Sequence, residues 1–207
     1  MEQKALLEET MAALRKNGFQ PLYFARREEA VDWILSQVAS EGDVGFGGSM
    51  TVKELDLPKK LAEKGLTLWD HSNFDAAKYT KREVLQKEIF ADYFFCSANG
   101  ITAQGEIFNV DGAGNRVAAL CCGPKKVFLV AGINKLCSDL VAAQRRLEEV
   151  AAPKNCVRLH MKTPCAVTGQ CQDCSSPQRI CRSYLVQRKA NLGVDISVIL
   201  IGEVLGY

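Results

Sequence analysis

Apolar positions recur along the chain in short blocks with two different periods. Leu6, Leu7, Met11 and Leu14 fall at helical spacing and Asn17-Gly18 ends the run, which predicts an opening helix over 2–16. Val31, Ile34, Leu35 and Val38 predict a second helix over 28–39. Shorter apolar runs at 21–25, 43–46, 66–69, 91–97, 126–131 and 196–201 read as strands. Two of them, around Tyr93-Phe94-Phe95-Cys96 and in KVFLVA (126–131), are almost continuously apolar, as expected of strands buried on both faces. Residues 101–110 read as further extended chain around a turn at Gln104-Gly105. Thr51 to Glu54 and Thr80 to Glu83 have the T-x-x-E form of a capping box, so each predicts a helix start, the second helix running through Ile89. Leu140, Val141 and Leu147 predict a long helix over 136–150. Ser176 as cap with Pro177 at the first helical position predicts a last helix to Leu192, closed by Gly193.

Short apolar strands that alternate with helices specify an α/β fold: a Rossmann-like, open, mostly parallel sheet with helices on both faces. No repeat, low-complexity segment or linker divides the chain, so one domain over 1–207 is expected. The stretch 153–176 is the one long segment without periodicity, and loops of that length are uncommon unless functional.

Composition narrows the function classes. Apolar residues are 47% and charged residues 24%, enough for a core without covalent staples. A net charge of +2 gives no electrostatic case for nucleic acid, and the pairs Arg26-Arg27, Lys59-Lys60 and Arg145-Arg146 are scattered among acids. Residues 1–15 are acidic and amphipathic, unlike a signal peptide, and no apolar run is long enough for a bilayer. The expected location is cytoplasmic, where thiols stay reduced. The nine cysteines therefore point to metal or redox chemistry more than to structural disulfides.

Four of them share one window, TPCAVTGQCQDCSSPQRIC (163–181), with the spacing C-x5-C-x2-C-x6-C. Cys165, Cys171, Cys174 and Cys181 are the candidate metal ligands. A C-x2-C pair turns two sulfurs to one side, and Gly and Pro nearby allow tight turns. Cys181 is expected in the first turn of the last helix, where the dipole favours a thiolate. The donor set suits zinc or an iron–sulfur cluster equally by type; the plain alternative is a set of reduced, unliganded thiols. Cys156 reads as packing more than as a fifth sulfur. Cys96, Cys121, Cys122 and Cys137 read as small buried hydrophobes.

The second candidate region is polar. Gly47-Gly48-Ser49-Met50-Thr51 follows a strand and precedes a helix, so its N–H and hydroxyl groups could hold a phosphate or carboxylate. Neither a Walker loop nor G-x-G-x-x-G is present, and a plain strand-to-helix turn explains the segment about as well. Polar stretches at 70–75 and 99–116 also fall where strands should end, the position where open α/β sheets bind ligands. Ordinary turn chemistry is the competing reading. His71, a single histidine at a strand end, reads as a hydrogen-bonded structural residue, and His160 as a neighbour of the cysteine segment.

Five blocks together carry a family likeness: GGSMTVKELDL (47–57), HSNFDAAKY (71–79), SANGITAQGEIFNVDGAGNRVAAL (97–120), GPKKVFLVAGINKL (123–136) and TPCAVTGQCQDCSSPQRIC (163–181). Over nearly its whole length the chain resembles the LUD (lactate utilisation) domain family. The resemblance implies a fold like that of CoA-transferases and ribose-5-phosphate isomerase, and a place in lactate oxidation beside iron–sulfur partner proteins. It tips the metal toward a [4Fe–4S] cluster, with zinc as the alternative. By the same analogy Gly47, Gly48, Ser49 and Thr51 line a cleft, completed by Asn73, Asp75, Asn99, Thr102, Asn109, Asp111 and Arg116. Glu106 joins them as the residue type that CoA-transferases use as a nucleophile near a sheet edge. Expected partners are a small acid or other anionic molecule, iron–sulfur redox proteins and further copies of the chain in a homo-oligomer; nucleic acid and membrane are not expected. Three functions stay open: a redox accessory protein, a non-redox enzyme on a phosphorylated or CoA-linked molecule, and a zinc-braced binding or assembly protein.

Overall fold

The computed structural model describes residues 2–207. In chain order the elements are α1 (Glu2–Lys16), β1 (Gln20–Phe24), α2 (Arg27–Gln37), β2 (Asp43–Phe46), α3 (Met50–Glu54), α4 (Leu57–Glu63) and β3 (Thr67–Trp69). Then come α5 (Lys81–Ile89), β4 (Tyr93–Cys96), β5 (Gly100–Thr102), β6 (Ile107–Asp111), α6 (Asn115–Cys121) and β7 (Lys126–Gly132). A 3-10 turn at Ile133–Lys135 leads to β8 (Leu136–Cys137) and α7 (Leu140–Arg146), which continues through a π-helical turn, Leu147–Ala151, into α8 (Ala152–Arg158). The chain ends with α9 (Pro164–Thr168), β9 (Ser183–Gln187) and β10 (Asp195–Ile201).

Six strands form a wholly parallel sheet in the order β1-β10-β7-β4-β2-β3. Both faces are covered, which explains the unbroken apolar runs. Along β7, Phe128 and Val130 pack toward Ile34 of α2 and Leu61 of α4, while Val127, Leu129 and Ala131 pack toward Leu14 of α1 and Leu120 of α6. Phe95 and Phe128 stack across β4 and β7 with centroids 4.8 Å apart and an interplanar angle of 12°. Such a pair adds about 0.5–1.5 kcal/mol beyond the area it buries. No helix among the described residues is long and apolar enough to cross a membrane.

A second, mixed sheet, β8-β5-β6-β9, sits beside the first. Its apolar side, Phe108 and Val110, packs on Ala143 of α7 and on Leu147 and Ala151.

Most sequence expectations hold to within a residue or two. Thr80 is a capping box in full, its hydroxyl accepting from Glu83 N while Glu83 returns to Thr80 N. Four expectations need correction. Ser49, not Thr51, caps α3; Thr51 is buried two residues further on and donates to the Leu205 carbonyl. The helix expected over 136–150 starts later, because Leu136 and Cys137 pair with β5, and it runs on to Arg158. The segment 153–176 is accordingly helical at both 153–158 and 164–168. The last helix does not form. Ser176 does accept from Gln178 N, but the turn ends there and Ser183–Gln187 adds to β6 as an antiparallel edge strand. Its alternating burial, with Leu185 and Gln187 inward, is the period of a strand. Cys181 therefore lies in irregular chain just before β9, with no helix dipole behind it.

Candidate functional site

The carboxyl ends of β2, β3, β4 and β7 open into one cleft of about 630 Å³. Each contributes the residues that follow it: Gly47 and Gly48 after β2, His71 and Ser72 after β3, Ser97 and Asn99 after β4, and Lys135 after β7. Parallel strands end their backbone pairing on one side of the sheet, so side chains just beyond them converge there. The far wall comes from Ala151 to Arg158 and from the cysteine segment, including Cys181.

Gly47 and Gly48 form the floor, and a side chain is disfavoured at each, by crowding at the first and by backbone conformation at the second. A Cβ on Gly47 would sit 3.0 Å from Cys96 Cβ and 3.4 Å from Arg116 Cβ, and Gly48 has φ +70°. Ser49 also lines the cleft, though its hydroxyl already accepts from Val52 N at 3.3 Å.

Arg116 organises the next wall. Its guanidinium donates to Asp111 at 2.7 and 2.9 Å, to Asn99 Oδ1 at 3.0 Å, and to the carbonyls of Ser97 and Val110. Asn99 Oδ1 also accepts from Val110 N at 2.8 Å, and Asn109 Oδ1 accepts from Asn99 N at 3.3 Å. These residues therefore brace the strand ends, and most of their hydrogen-bonding capacity is used internally.

Of the expected ligand-binding set, the cleft brings together Gly47, Gly48, Ser49, Thr51, Asn99, Asp111 and Arg116. Asn73 and Asp75 lie outside it on the exposed 70–79 loop, where Asp75 accepts from Ala77 N. Thr102 and Glu106 sit at the β5–β6 turn, bonded to each other and, through Glu106, to Arg188 at 3.3 Å. Asn109 is buried within β6.

Several lining residues were not anticipated. Lys135 is 2% exposed and donates to the Tyr207 carbonyl. Burial, then the neighbouring Arg146 and Arg116 cations, bring its amine down to about 7. Arg158 donates to Asn155 Oδ1 and to the Tyr207 hydroxyl. Arg179 and Arg182 reach the rim from the cysteine segment. Lys81, Arg116, Arg158, Arg179 and Arg182 thus face a single lining carboxylate, Asp111, which is already paired with Arg116. The balance favours an anion. Ser97 adds a buried hydroxyl with no partner among the described residues. One signal was available in sequence: Lys135 stands just past the clearest strand.

The cysteine segment folds back over α8. Cys165 opens α9 and is buried, its Sγ 3.4 Å from Thr163 Oγ1; Cys171, Cys174 and Cys181 are half-buried. Cys156 is buried on α8 against Thr163 and Cys165. The Cys181 thiol is pushed up to about 11, first by burial and then by Cys156 and Cys171. Crowded thiols resist ionising together, and a bound cation reverses that logic. Arg179 ties the segment together, donating to the carbonyls of Cys174 and Cys181 and pairing with Asp173 at 2.6 Å. Among the described residues no three cysteine sulfurs converge within 4.8 Å; the group that does converge is Asp70, His71 and Glu88. Of the four cysteines expected to be buried hydrophobes, Cys96 and Cys137 are, whereas Cys121 and Cys122 are exposed at the end of α6.

An open α/β sheet with a cation-lined cleft beyond its strand ends defines the class of protein. Residues 7–201 match the LUD domain, and the chain belongs to that family. Over 98% of its length it superposes on 99% of a DUF162 family protein from Deinococcus radiodurans, known from a crystal structure, with TM-score 0.55 and 11% identity. That likeness shows the fold. No curated protein matches the chain.

Proposed function

We propose that this protein is a redox accessory component of lactate-utilisation type, in which the cleft binds a small anionic acid and Cys165, Cys171, Cys174 and Cys181 hold an iron–sulfur cluster at its rim. The observation that carries this reading is shared space: Cys181 lines the same cleft as Gly47, Gly48 and Lys135. The cation-rich lining supports an anionic ligand. The four thiols within 163–181 are a donor set that an iron–sulfur cluster takes, and the family resemblance favours a cluster over zinc. When bound, the cluster would supply one-electron transfer.

Protein purified without oxygen tests this. The expected result is broad absorbance near ~400 nm with about four irons and acid-labile sulfide per chain, lost in Cys171→Ala. Colourless protein with one zinc per chain, or iron content unchanged by Cys171→Ala, overturns the cluster. Lactate that leaves the melting temperature unmoved overturns the acid site, since a ligand of the native state must raise it.

A further inference from the structure

The convergence of Asp70, His71 and Glu88 invites a cation, but the hydrogen bonds there answer a different need. Glu88 is fully buried on α5. Its Oε1 accepts from the backbone N of His71 at 2.5 Å and lies 2.7 Å from His71 Nδ1, while Oε2 accepts from Asn115 Nδ2 at 2.9 Å. Asp70 Oδ1 accepts from Ser72 N and Oγ at 2.8 and 2.6 Å. A cation would have to displace donors from Glu88, whose two oxygens are both occupied.

The backbone is shaped to hold Glu88 where it is. A Cβ on Gly45 of β2 would come within 2.2 Å of the Glu88 carbonyl, so only glycine lets the end of α5 rest on that strand. Because Oε1 is an acceptor, Nδ1 of His71 is the donor, which leaves Nε2 as the bare nitrogen of the neutral ring. Nε2 has no partner among the described residues. The imidazole lines the cleft, and its Cε1–Nε2 edge stands 3.5–3.6 Å from where a Cβ on Gly48 would be. Gly48 therefore keeps that edge open. The other charged groups around the ring are Asp70 on its own loop, Lys53 of α3 reaching Ser72 at 3.4 Å, Lys81 at the start of α5, and Arg116 of α6 across the cleft.

We propose that His71 is a catalytic residue of the cleft: its Nε2 accepts the hydroxyl proton of a bound 2-hydroxy carboxylate, and the buried Glu88 is its positioning residue. This rests on the anionic-acid reading of the same cleft. In the step, the O–H bond breaks, its electron pair stays on oxygen, and an N–H bond forms at Nε2. The charge on the ring is balanced by Glu88, as in other carboxylate–histidine pairs. The cleft cations attract the carboxylate of the ligand, and the hydroxyl is left to Nε2, the uncommitted basic nitrogen of the lining; the unpartnered Ser97 hydroxyl is far too weak a base to take the proton.

The chain has only two histidines, so nitrogen-15 labelling of histidine resolves His71 directly. At a pH where the ring is neutral, His71 should carry its proton on Nδ1, and Glu88→Gln should shift the population toward Nε2–H. Lactate should move the Nε2 resonance, whereas pyruvate, which has no hydroxyl, should not. His71→Asn should lose the part of the lactate-induced rise in melting temperature that exceeds the rise with pyruvate. This variant also covers the case in which Glu88→Gln fails to fold. An Nε2–H tautomer in the wild type overturns the proposal. So does a melting shift with lactate that leaves Nε2 unmoved, and in that case the anionic-acid site stands without the dyad. No response of either kind overturns both.

Discussion

In the six-stranded sheet, the central strands β4, β7 and β10 bury almost nothing polar, with Ser197 as the exception. In the four-stranded sheet every longer strand buries a polar side chain: Thr102 in β5, Asn109 and Asp111 in β6, Gln187 in β9. The first sheet is held by non-directional apolar burial. The second is held by partners that must be supplied one by one, and Asn109 Nδ2 and Gln187 Oε1 still have none among the described residues. The chemistry gathers where the two meet. The large sheet supplies a rigid floor, and the smaller sheet with its cysteine segment supplies the polar wall.

Substitutions should separate the two modes. Phe128→Ala removes the stacked ring at the centre of the large sheet and should cost about 3–5 kcal/mol in urea denaturation. Val186→Ala on the exposed edge of the small sheet should stay within about 0.5 kcal/mol. Equal losses would erase the distinction. Asp111→Ala tests the polar mode, because it strands Arg116, whose side chain is 13% exposed. Breaking such a pair should cost roughly 3 kcal/mol, and a loss under about 0.5 kcal/mol would mean that Arg116 does not depend on its partner.

The finest test is the pH dependence at the junction. Lys135 falls from its ordinary 10.5 to about 7 because it is buried beside Arg146 and Arg116. Between those values the unfolded chain holds the proton and the folded chain does not, so stability should rise with pH. The penalty is fully present below about 7. Compared with Lys135→Met, the wild type should gain about 2–3 kcal/mol between pH 7 and 9. Buried thiols such as Cys96, pushed up to about 12, act in the opposite direction above the ordinary thiol range, but equally in both proteins. A gap between the two proteins that stays flat over that range would contradict the burial argument.

This contrast also explains what the sequence could reveal. Tyr93 to Cys96 and KVFLVA were readable because burial on both faces leaves a continuous apolar run. The floor glycines were readable because they follow a strand. The β9 strand was not: Ser176-Pro177 is a genuine local cap, and only the free edge of β6 decides against a helix. Thr51 and Ser49 lie two residues apart with the same capping chemistry, and burial under Leu205 separates them. His71 looked structural because its partner Glu88 lies 17 residues away on a helix that offers no sequence sign of facing it. Arg158 reaches the cleft through tertiary placement that no local pattern encodes, whereas Lys135 was signalled by its position just past β7.

If the cysteine segment and the strand-end cleft form one site, a ligand in the cleft must be felt at the cluster. Lactate titrated into protein purified without oxygen, with the visible and electron paramagnetic resonance spectra recorded, tests it most directly. A saturable change in the cluster spectrum is expected, weakened in His71→Asn and absent in Cys171→Ala. A cluster spectrum indifferent to saturating lactate, or colourless protein, would contradict it.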